Sequence, residues 1–400
     1  MSLERSADPI EVGFAPERLD RLDRHFDAYV DDGRLAGYLV SIARHGEVAH
    51  LHSHGLADRE AGTAVDAHTV FRLHSMTKVV TAVAVLVLYE QGKLALTDPV
   101  ERFLPAFANA RVYVDADTTR PAASPIRVWH LLSHTSGLGN ALFNATPVDA
   151  LYRAAGLGST SMGSSLAEVV DVYGGMPLSF DPGTGWYYSA ASLILGRLIE
   201  VVSGQDLDVF LAEQIFAPLG MPDTGFTVAP EKLPRTAAMY QPDAEGRAVP
   251  MASLSMAVRP QVLSGSGGLV SSAADFHRFL EMLRLRGEHD GIRLLAPRTV
   301  DLLAGNHLPG GADLTAFSDW LPELVAGTGF GFGVAVTLDP VRRKLAGSVG
   351  EFGFAGASST VFFVDPRADL TVQFLTQLQP ITAHPIPDEL RQLVYQALVD

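Results

Sequence analysis

Ser75 and Lys78 are the two residues of this chain whose types and spacing best suit covalent chemistry. They stand three positions apart where a helix is predicted to begin, and residues three apart lie on one helical face. A serine hydroxyl is a weak nucleophile unless a nearby base takes its proton, and a lysine amine becomes such a base when burial lowers its pKa. Residues 79–89 are apolar apart from Thr81 and the Tyr89 hydroxyl, which predicts a buried helix. The pair therefore predicts a nucleophile beside a base, shielded from water.

Segments elsewhere in the chain make this common Ser-x-x-Lys pattern specific. In chain order they are Glu90-Gln-Gly-Lys-Leu-Ala-Leu-Thr-Asp-Pro-Val100, His130-Leu-Leu-Ser-His-Thr-Ser-Gly-Leu138, Asp181 to Glu200, and Ser264 to Phe279. With them the chain resembles the serine β-lactamase and penicillin-binding-protein superfamily. Within it, the chain most resembles the class C-like branch, which includes the family VIII carboxylesterases. The resemblance spans nearly the whole chain, so it implies both a fold and an active site.

The resemblance implies roles for three side chains. Ser75 is the nucleophile, Lys78 is its neighbour, and Tyr188 fits the catalytic tyrosine because it precedes Ser189 in the place of the family's Tyr-Ser-Asn. Tyr188, kept partly ionised by Lys78, would accept the serine proton and return it to the leaving alcohol. Whether Tyr188 or Lys78 is the general base stays open. By position, the backbone N–H groups of Ser75 and Ala357 would form the oxyanion hole.

Two departures from the lactamase pattern favour an esterase. Ala190 replaces the asparagine of Tyr-Ser-Asn, so an amide that would hold a substrate's acylamino group is missing. Phe354-Ala355-Gly356 stands where lactamases and peptidases carry Lys-Thr-Gly or His-x-Gly, and a phenyl ring cannot pair with a carboxylate. We therefore expect a serine carboxylesterase for short- to medium-chain acyl esters, with acyl transfer to other alcohols left open. The alternatives are a β-lactamase or D-aminopeptidase of the same fold and, from another class, a catalytically silent binding protein.

An apolar pocket beside the serine is predicted, with ordinary core packing as the alternative for each aromatic member. Its candidate residues are Phe354, Gly356, Trp186, Phe143 and Tyr152. An apolar lining favours an uncharged acyl group, because a carboxylate would stay unpaired there. The glycine-rich stretch 306–332 is a candidate wall over the cleft, with a plain surface loop as the alternative. Its large apolar residues include Phe317, Trp320 and Leu321.

The hydrophobic pattern predicts an α+β fold. Helical stripes occur near both chain ends, at 16–31 and 390–398, with predicted hairpins beside them at 38–52 and 360–374. This order predicts an antiparallel sheet flanked by N- and C-terminal helices. We expect residues 1–98 and 260–400 to form this α/β lobe and residues 99–259 a mostly helical lobe. The active site would lie in the cleft between them. The resemblance implies the same architecture, a β-lactamase/transpeptidase-like fold.

Composition limits the classes of partner. The chain has 400 residues, a net charge of −15 and no cysteine. This acidic balance argues against nucleic acid or an anionic membrane as a partner, because both require basic surface. The N-terminus lacks an apolar signal segment and no stretch is apolar enough to span a membrane, so a cytoplasmic location is expected. We expect a small-molecule ester as the substrate and no cofactor. The oligomeric state is not encoded in these patterns.

Two groups of histidines suggest a metal site. His50, His52 and His54 alternate along a predicted strand and so share one face. Because no acidic or cysteine residue stands at a matching spacing, we expect a solvated strand face and no metal. His130 and His134 lie four apart without the glutamate of His-Glu-x-x-His, and we interpret them as structural.

Overall fold

The computed structural model describes residues 3–143, 145–158, 164–317 and 325–399. Trp320 and Leu321, two of the apolar residues in the predicted cleft wall, lie outside these ranges. Within them, no helix is long and apolar enough to cross a membrane. No group of three or more histidine, aspartate or glutamate side chains in the described ranges is arranged to hold a metal ion.

The helices are α1 (Pro16–Asp31), α2 (Thr77–Glu90), α3 (Val128–Leu132), α4 (Pro147–Ala154), α5 (Leu166–Gly174), α6 (Ala191–Ser203), α7 (Leu207–Leu211), α8 (Ala273–Arg284), α9 (Pro297–Leu303), α10 (Pro340–Arg343) and α11 (Ile386–Tyr395). The strands are β1 (Gly37–Arg44), β2 (Glu47–Asp58), β3 (Thr63–Ala64), β4 (Val70–Arg72), β5 (Arg111–Asp115), β6 (Thr118–Pro121), β7 (Tyr240–Pro242), β8 (Ala248–Pro250), β9 (Val270–Ser272), β10 (Glu288–His289), β11 (Ile292–Arg293), β12 (Thr328–Phe330), β13 (Ala335–Thr337), β14 (Phe352–Ala355), β15 (Val361–Asp365) and β16 (Leu370–Leu375).

An eight-stranded antiparallel sheet joins the two ends of the chain. Its order is β12-β13-β14-β15-β16-β1-β2-β3, so N-terminal β1 pairs directly with C-terminal β16, with Leu39 opposite Leu375. The β1–β2 hairpin forms because His45 and Gly46 both adopt positive φ, as a two-residue hairpin turn requires. The predicted hairpins and the α+β fold class are confirmed.

Helices cover both faces of this sheet. On one face α1 and α11 pack on the strands, where Phe26 of α1 contacts Phe374 of β16 with ring centroids 4.7 Å apart. On the other face Phe276 of α8 meets Phe362 of β15 at 5.5 Å. Helix α2 packs in the same core and is buried on every side from Thr77 to Leu88. The apolar run after Lys78 therefore forms a central helix.

Helices α3 to α7 lie in the segment predicted as the second lobe, together with the β5–β6 and β7–β8 hairpins. The β7–β8 hairpin is hydrogen-bonded to residues next to the eight-stranded sheet. Tyr240 N–H donates to Gln377 O, just after β16, and Ala248 N–H donates to Gly33 O, just before β1. The division into residues 1–98 with 260–400 and residues 99–259 stays a proposal.

The three alternating histidines of β2 are paired with aspartates on α1, so the expectation of a solvated strand face is wrong. His50, His52 and His54 each donate from Nε2 to one carboxylate, at 2.8, 2.9 and 2.9 Å. Their partners are Asp23, Asp27 and Asp31 in that order. The spacing of the aspartates along α1 matches that of the histidines along β2, because four helical residues rise about 6 Å and two strand residues about 6.6 Å. The spacing along β2 could not reveal these pairs, because the aspartates lie on a different element, α1.

We predict that the His52–Asp27 pair contributes more to the free energy of unfolding than the outer His54–Asp31 pair. Asp27 accepts hydrogen bonds from both His52 and the buried Tyr38 hydroxyl, at 2.9 and 3.0 Å. Asp27→Ala would leave that hydroxyl without its carboxylate partner and lower the free energy of unfolding by about 1–3 kcal/mol in urea titrations. The control Asp31→Ala removes a carboxylate that is 70% exposed, so the change should stay within about 0.5 kcal/mol. Equal losses in the two variants would contradict this prediction.

Candidate active site

Ser75 lies in a 3₁₀ turn, His74–Met76, that leads directly into α2. His74 has a φ of 46°, in the left-handed region that residues other than glycine rarely adopt. The turn is anchored because Leu73 N–H donates to Leu269 O. This sharp change of direction places Ser75 at the N-terminal end of α2, where helix N–H groups are unpaired and the helix dipole is positive.

Lys78 lies one helical turn further on and is 4% exposed. Its Nζ lies 3.2 Å from Ser75 Oγ and donates to Ser266 O at 2.6 Å. Among the described residues, no carboxylate lies within ion-pair distance of Nζ. Burial without a counter-ion disfavours the charged amine, and it lowers the pKa of Lys78 to about 7. A large fraction of the amine is therefore neutral near pH 7.

Tyr188 reaches the serine from the turn before α6. Its hydroxyl donates to Ser75 Oγ at 2.8 Å, and its ring centroid lies 4.8 Å from Lys78 Nζ. Burial raises the pKa of Tyr188 above its ordinary value, which favours the protonated phenol. The structure thus brings together Ser75, Lys78 and Tyr188, the three side chains that the sequence singled out.

The end of β14 lies against the Ser75 turn. A Cβ on Gly356 would lie 2.5 Å from Leu73 O and 2.2 Å from Thr360 Oγ1, so only glycine allows this approach. Neither the Ser75 nor the Ala357 N–H donates to an acceptor among the described residues. Each amide is therefore an unused hydrogen-bond donor within the described part of the chain.

Aromatic side chains surround the Tyr188 ring. Phe354 lies 5.8 Å from it and Phe143 6.1 Å, between ring centroids. Trp186 packs in the same cluster through Phe330, at 5.4 Å. The structure thus brings three of the four predicted aromatic residues together at the site.

Tyr152 is not at the site, and its prediction as a pocket residue is wrong. Its side chain has no exposed surface. The ring packs against Tyr173 at 5.5 Å, and the hydroxyl donates to Pro177 O at 3.2 Å. Tyr152 is therefore a core residue between α4 and α5. Large aromatic residues suit a core and a pocket wall equally well, so residue type alone could not separate the two.

Sequence reasoning missed several residues that contact this site. His134, interpreted only as structural, has its ring 5.0 Å from that of Tyr188 and accepts the Ser189 N–H at Nδ1. Burial lowers the pKa of His134 to about 3, so the ring is neutral. Phe330, at the C-terminal end of β12, lies in the predicted cleft wall 306–332 but was not singled out there; it contacts Trp186 and Phe354. Of the predicted cleft wall, Phe317 also joins this cluster.

Comparison with known proteins identifies the family. A family model described as Beta-lactamase matches residues 22–396. The chain belongs to the beta-lactamase family. This assignment confirms the superfamily indicated by the Ser75-x-x-Lys78 motif and its companion segments.

Several relatives of this beta-lactamase-family protein are esterases or acyltransferases. Esterase EstB from Burkholderia gladioli is 34% identical over 397 residues, with 94% of each chain covered. The structure of EstCE1, described as a hydrolase with promiscuous acyltransferase activity, matches with a TM-score of 0.80 and 28% identity over 95% of this chain and 98% of that one. Unliganded simvastatin synthase (LovD) from Aspergillus terreus matches with a TM-score of 0.80 and 25% identity over 98% of both chains. The protein is thus a serine hydrolase of the β-lactamase fold, similar to esterases and acyltransferases.

The close contact of Gly356 with the Ser75 turn yields a prediction. Gly356→Ala should force β14 away from Leu73 and slow the labelling of Ser75 by an alkyl phosphonate about 100-fold, because a misplacement of about 1 Å has effects of that size. Gly175→Ala is the matched control, since the nearest atom to its added Cβ lies 3.6 Å away. Labelling rates measured by intact-protein mass spectrometry should be unchanged in the control. A Gly356→Ala protein that is labelled at the wild-type rate would contradict the prediction.

Proposed function

We propose that this protein is a serine carboxylesterase that hydrolyses short- to medium-chain acyl esters through an acyl-enzyme on Ser75. The observation that carries the proposal is the convergence of Lys78 Nζ and the Tyr188 hydroxyl on Ser75 Oγ, at 3.2 and 2.8 Å. A neutral amine and a protonated phenol on one hydroxyl can activate a nucleophile and later protonate a leaving group.

The proton path follows from the opposite pKa shifts of the two neighbours. Ser75 Oγ attacks the ester carbonyl carbon while its proton passes to the neutral Lys78 amine. Tyr188, which burial keeps protonated, donates its proton to the departing alkoxide and regains one from Lys78. The alcohol leaves and the acyl group remains on Ser75. We therefore assign the first proton transfer to Lys78, where the sequence left the choice between Lys78 and Tyr188 open.

The negative oxygen of the tetrahedral intermediate would lie between the Ser75 and Ala357 N–H groups. In the second half of the reaction, water attacks the acyl carbon and gives its proton to the Lys78 amine. The bond between the acyl carbon and Ser75 Oγ then breaks, the carboxylic acid leaves, and Ser75 Oγ regains its proton from Lys78, whose Nζ lies 3.2 Å away. Another alcohol in place of water would give acyl transfer instead of hydrolysis. The description of EstCE1 as a hydrolase with promiscuous acyltransferase activity supports this as a second outcome of the same acyl-enzyme.

The aromatic residues of the site favour an uncharged ester substrate. Phe354 and Phe143 both lie within about 6 Å of the Tyr188 ring, and neither offers a partner for a carboxylate. An unpaired carboxylate would lose its hydration there without compensation. With Ala190 in the place of an amide, these residues disfavour a β-lactamase or D-aminopeptidase, and esterase EstB supports the ester alternative.

The proposal is tested by hydrolysis of p-nitrophenyl acetate and butyrate with wild-type protein and with Ser75→Ala. We expect turnover by the wild type, a loss of at least about 10³-fold in the variant, and a phosphonate adduct on Ser75 by peptide mass spectrometry. Turnover of a chromogenic cephalosporin as fast as that of the esters would favour the lactamase alternative. No turnover and no adduct would favour the silent binding protein.

The assignment of Lys78 as the base predicts the pH dependence of the reaction. Because the neutral amine is the active form, kcat/KM for p-nitrophenyl butyrate should rise with pH to a plateau, with a midpoint near the Lys78 pKa of about 7. Lys78→Arg should remove the rising limb together with the activity, because a guanidinium does not lose its proton in proteins. A rise only above pH 10 would instead indicate that ionised Tyr188 is the base.

A further inference from the structure

Asp149, near the N-terminus of α4, is a buried carboxylate with an unusual set of partners. It has no exposed surface. Its oxygens accept from the backbone N–H groups of Asn140, Ala145 and Thr146 and from the Tyr187 hydroxyl, at 2.9, 3.1, 3.0 and 2.6 Å. Four donors compensate the cost of burying the charge.

These four donors belong to separate parts of the site. Thr146 is the N-cap of α4, and its contact with Asp149 is an ordinary capping box. A capping box accounts for neither the Asn140 nor the Tyr187 contact. Through these contacts the Asp149 carboxylate connects the start of α4 to residues 140–143 and to the turn that carries Tyr188.

Two routes lead from Asp149 to Tyr188. The first route runs through Tyr187, which directly precedes Tyr188 in the chain. Burial, together with the hydrogen bond to Asp149, raises the pKa of Tyr187, so its hydroxyl stays protonated and remains a donor. Asn140, held by Asp149 through its backbone N–H, donates from Nδ2 to Tyr188 O at 3.1 Å. The residue before Tyr188 and the backbone carbonyl of Tyr188 are thus both held by residues that Asp149 binds.

The same loop carries one of the aromatic residues of the site. Phe143 lies between Asn140 and Ala145, two of the residues that donate to Asp149, and its ring lies 6.1 Å from that of Tyr188. The Phe143 side chain is 36% exposed, so part of it faces solvent or an incoming substrate. A shift of this loop would therefore move both the phenol and the aromatic surface beside it.

We propose that Asp149 is a positioning residue that sets the place of the Tyr188 hydroxyl on Ser75 and of Phe143 beside it, acting through Tyr187 and Asn140. The inference rests on the proposed esterase function and deepens it. Asp149 does not touch Ser75 or Lys78. It controls how well the proton donor is aligned and how the site discriminates between acyl groups.

The test compares two substitutions that make the same chemical change. Tyr187→Phe removes the hydroxyl that donates to Asp149, and Tyr152→Phe removes a buried hydroxyl that donates to Pro177 O in the same part of the fold. We expect Tyr187→Phe to lower kcat for p-nitrophenyl butyrate about 10- to 100-fold with little change in KM. The ratio of butyrate to acetate turnover should also change, while Tyr152→Phe keeps the wild-type values. The midpoint of the pH profile should stay close to the wild-type value, because the Ser266 carbonyl and the core around α2, which hold and bury Lys78, are not altered.

A second variant covers the case in which Tyr187→Phe does not fold. Asn140→Ala removes the hydrogen bond to Tyr188 O, and we expect the same loss in kcat and the same change in acyl preference. A wild-type kcat in either folded variant, or equal losses in Tyr187→Phe and Tyr152→Phe, would overturn the proposal. Wild-type protein that hydrolyses no ester would overturn the proposed function itself, which distinguishes the two failures.

Discussion

The burial of the Lys78 amine, with no counter-ion among the described residues, is the constraint on which the active site depends. Lowering the pKa of a lysine from 10.5 to about 7 corresponds to roughly 5 kcal/mol. The fold provides this by surrounding α2 with core on every side and by giving the amine two neutral partners, Ser75 Oγ and Ser266 O. The Ser266 carbonyl fixes the amine without stabilising its charge as strongly as a carboxylate would. A carboxylate at that position would restore the ammonium form and remove the base.

The rest of the structure positions groups around this amine. Pairing of β1 with β16 joins the two chain ends, so that β14 can bring Gly356 against the Ser75 turn. Tyr188 comes from a different segment, and its turn is held by His134 and Asn140. Sites assembled from distant segments need many small positional constraints, and these two are hydrogen bonds between a side chain and the backbone. Bonds of the same kind hold Asp149 close to the site, as a buried carboxylate that accepts from three backbone N–H groups and from the Tyr187 hydroxyl.

The sequence predicted what is local or belongs to a recognisable motif. Ser75 and Lys78 followed from helical spacing, and the two terminal hairpins followed from alternating patterns and turn residues. Tyr188 came only from the family resemblance, since no local pattern distinguishes it from Tyr187. The contacts of Phe330, His134 and Asp149 could not be predicted, because they depend on how separate segments pack. The same limit applies to the aspartates of α1 that pair with the β2 histidines, and to Tyr152, whose burial in the core its residue type does not reveal.

The most direct test of this account is an NMR titration of the Lys78 side chain in the folded protein. Selectively ¹³C-labelled lysine, with Lys78→Arg to assign the signal, would give the pKa of this one amine. We predict a midpoint near 7, far below the value of about 10.4 that a free lysine side chain has in water. A midpoint near 10 for Lys78 would show that the amine is charged at neutral pH, and would contradict its role as the base that activates Ser75.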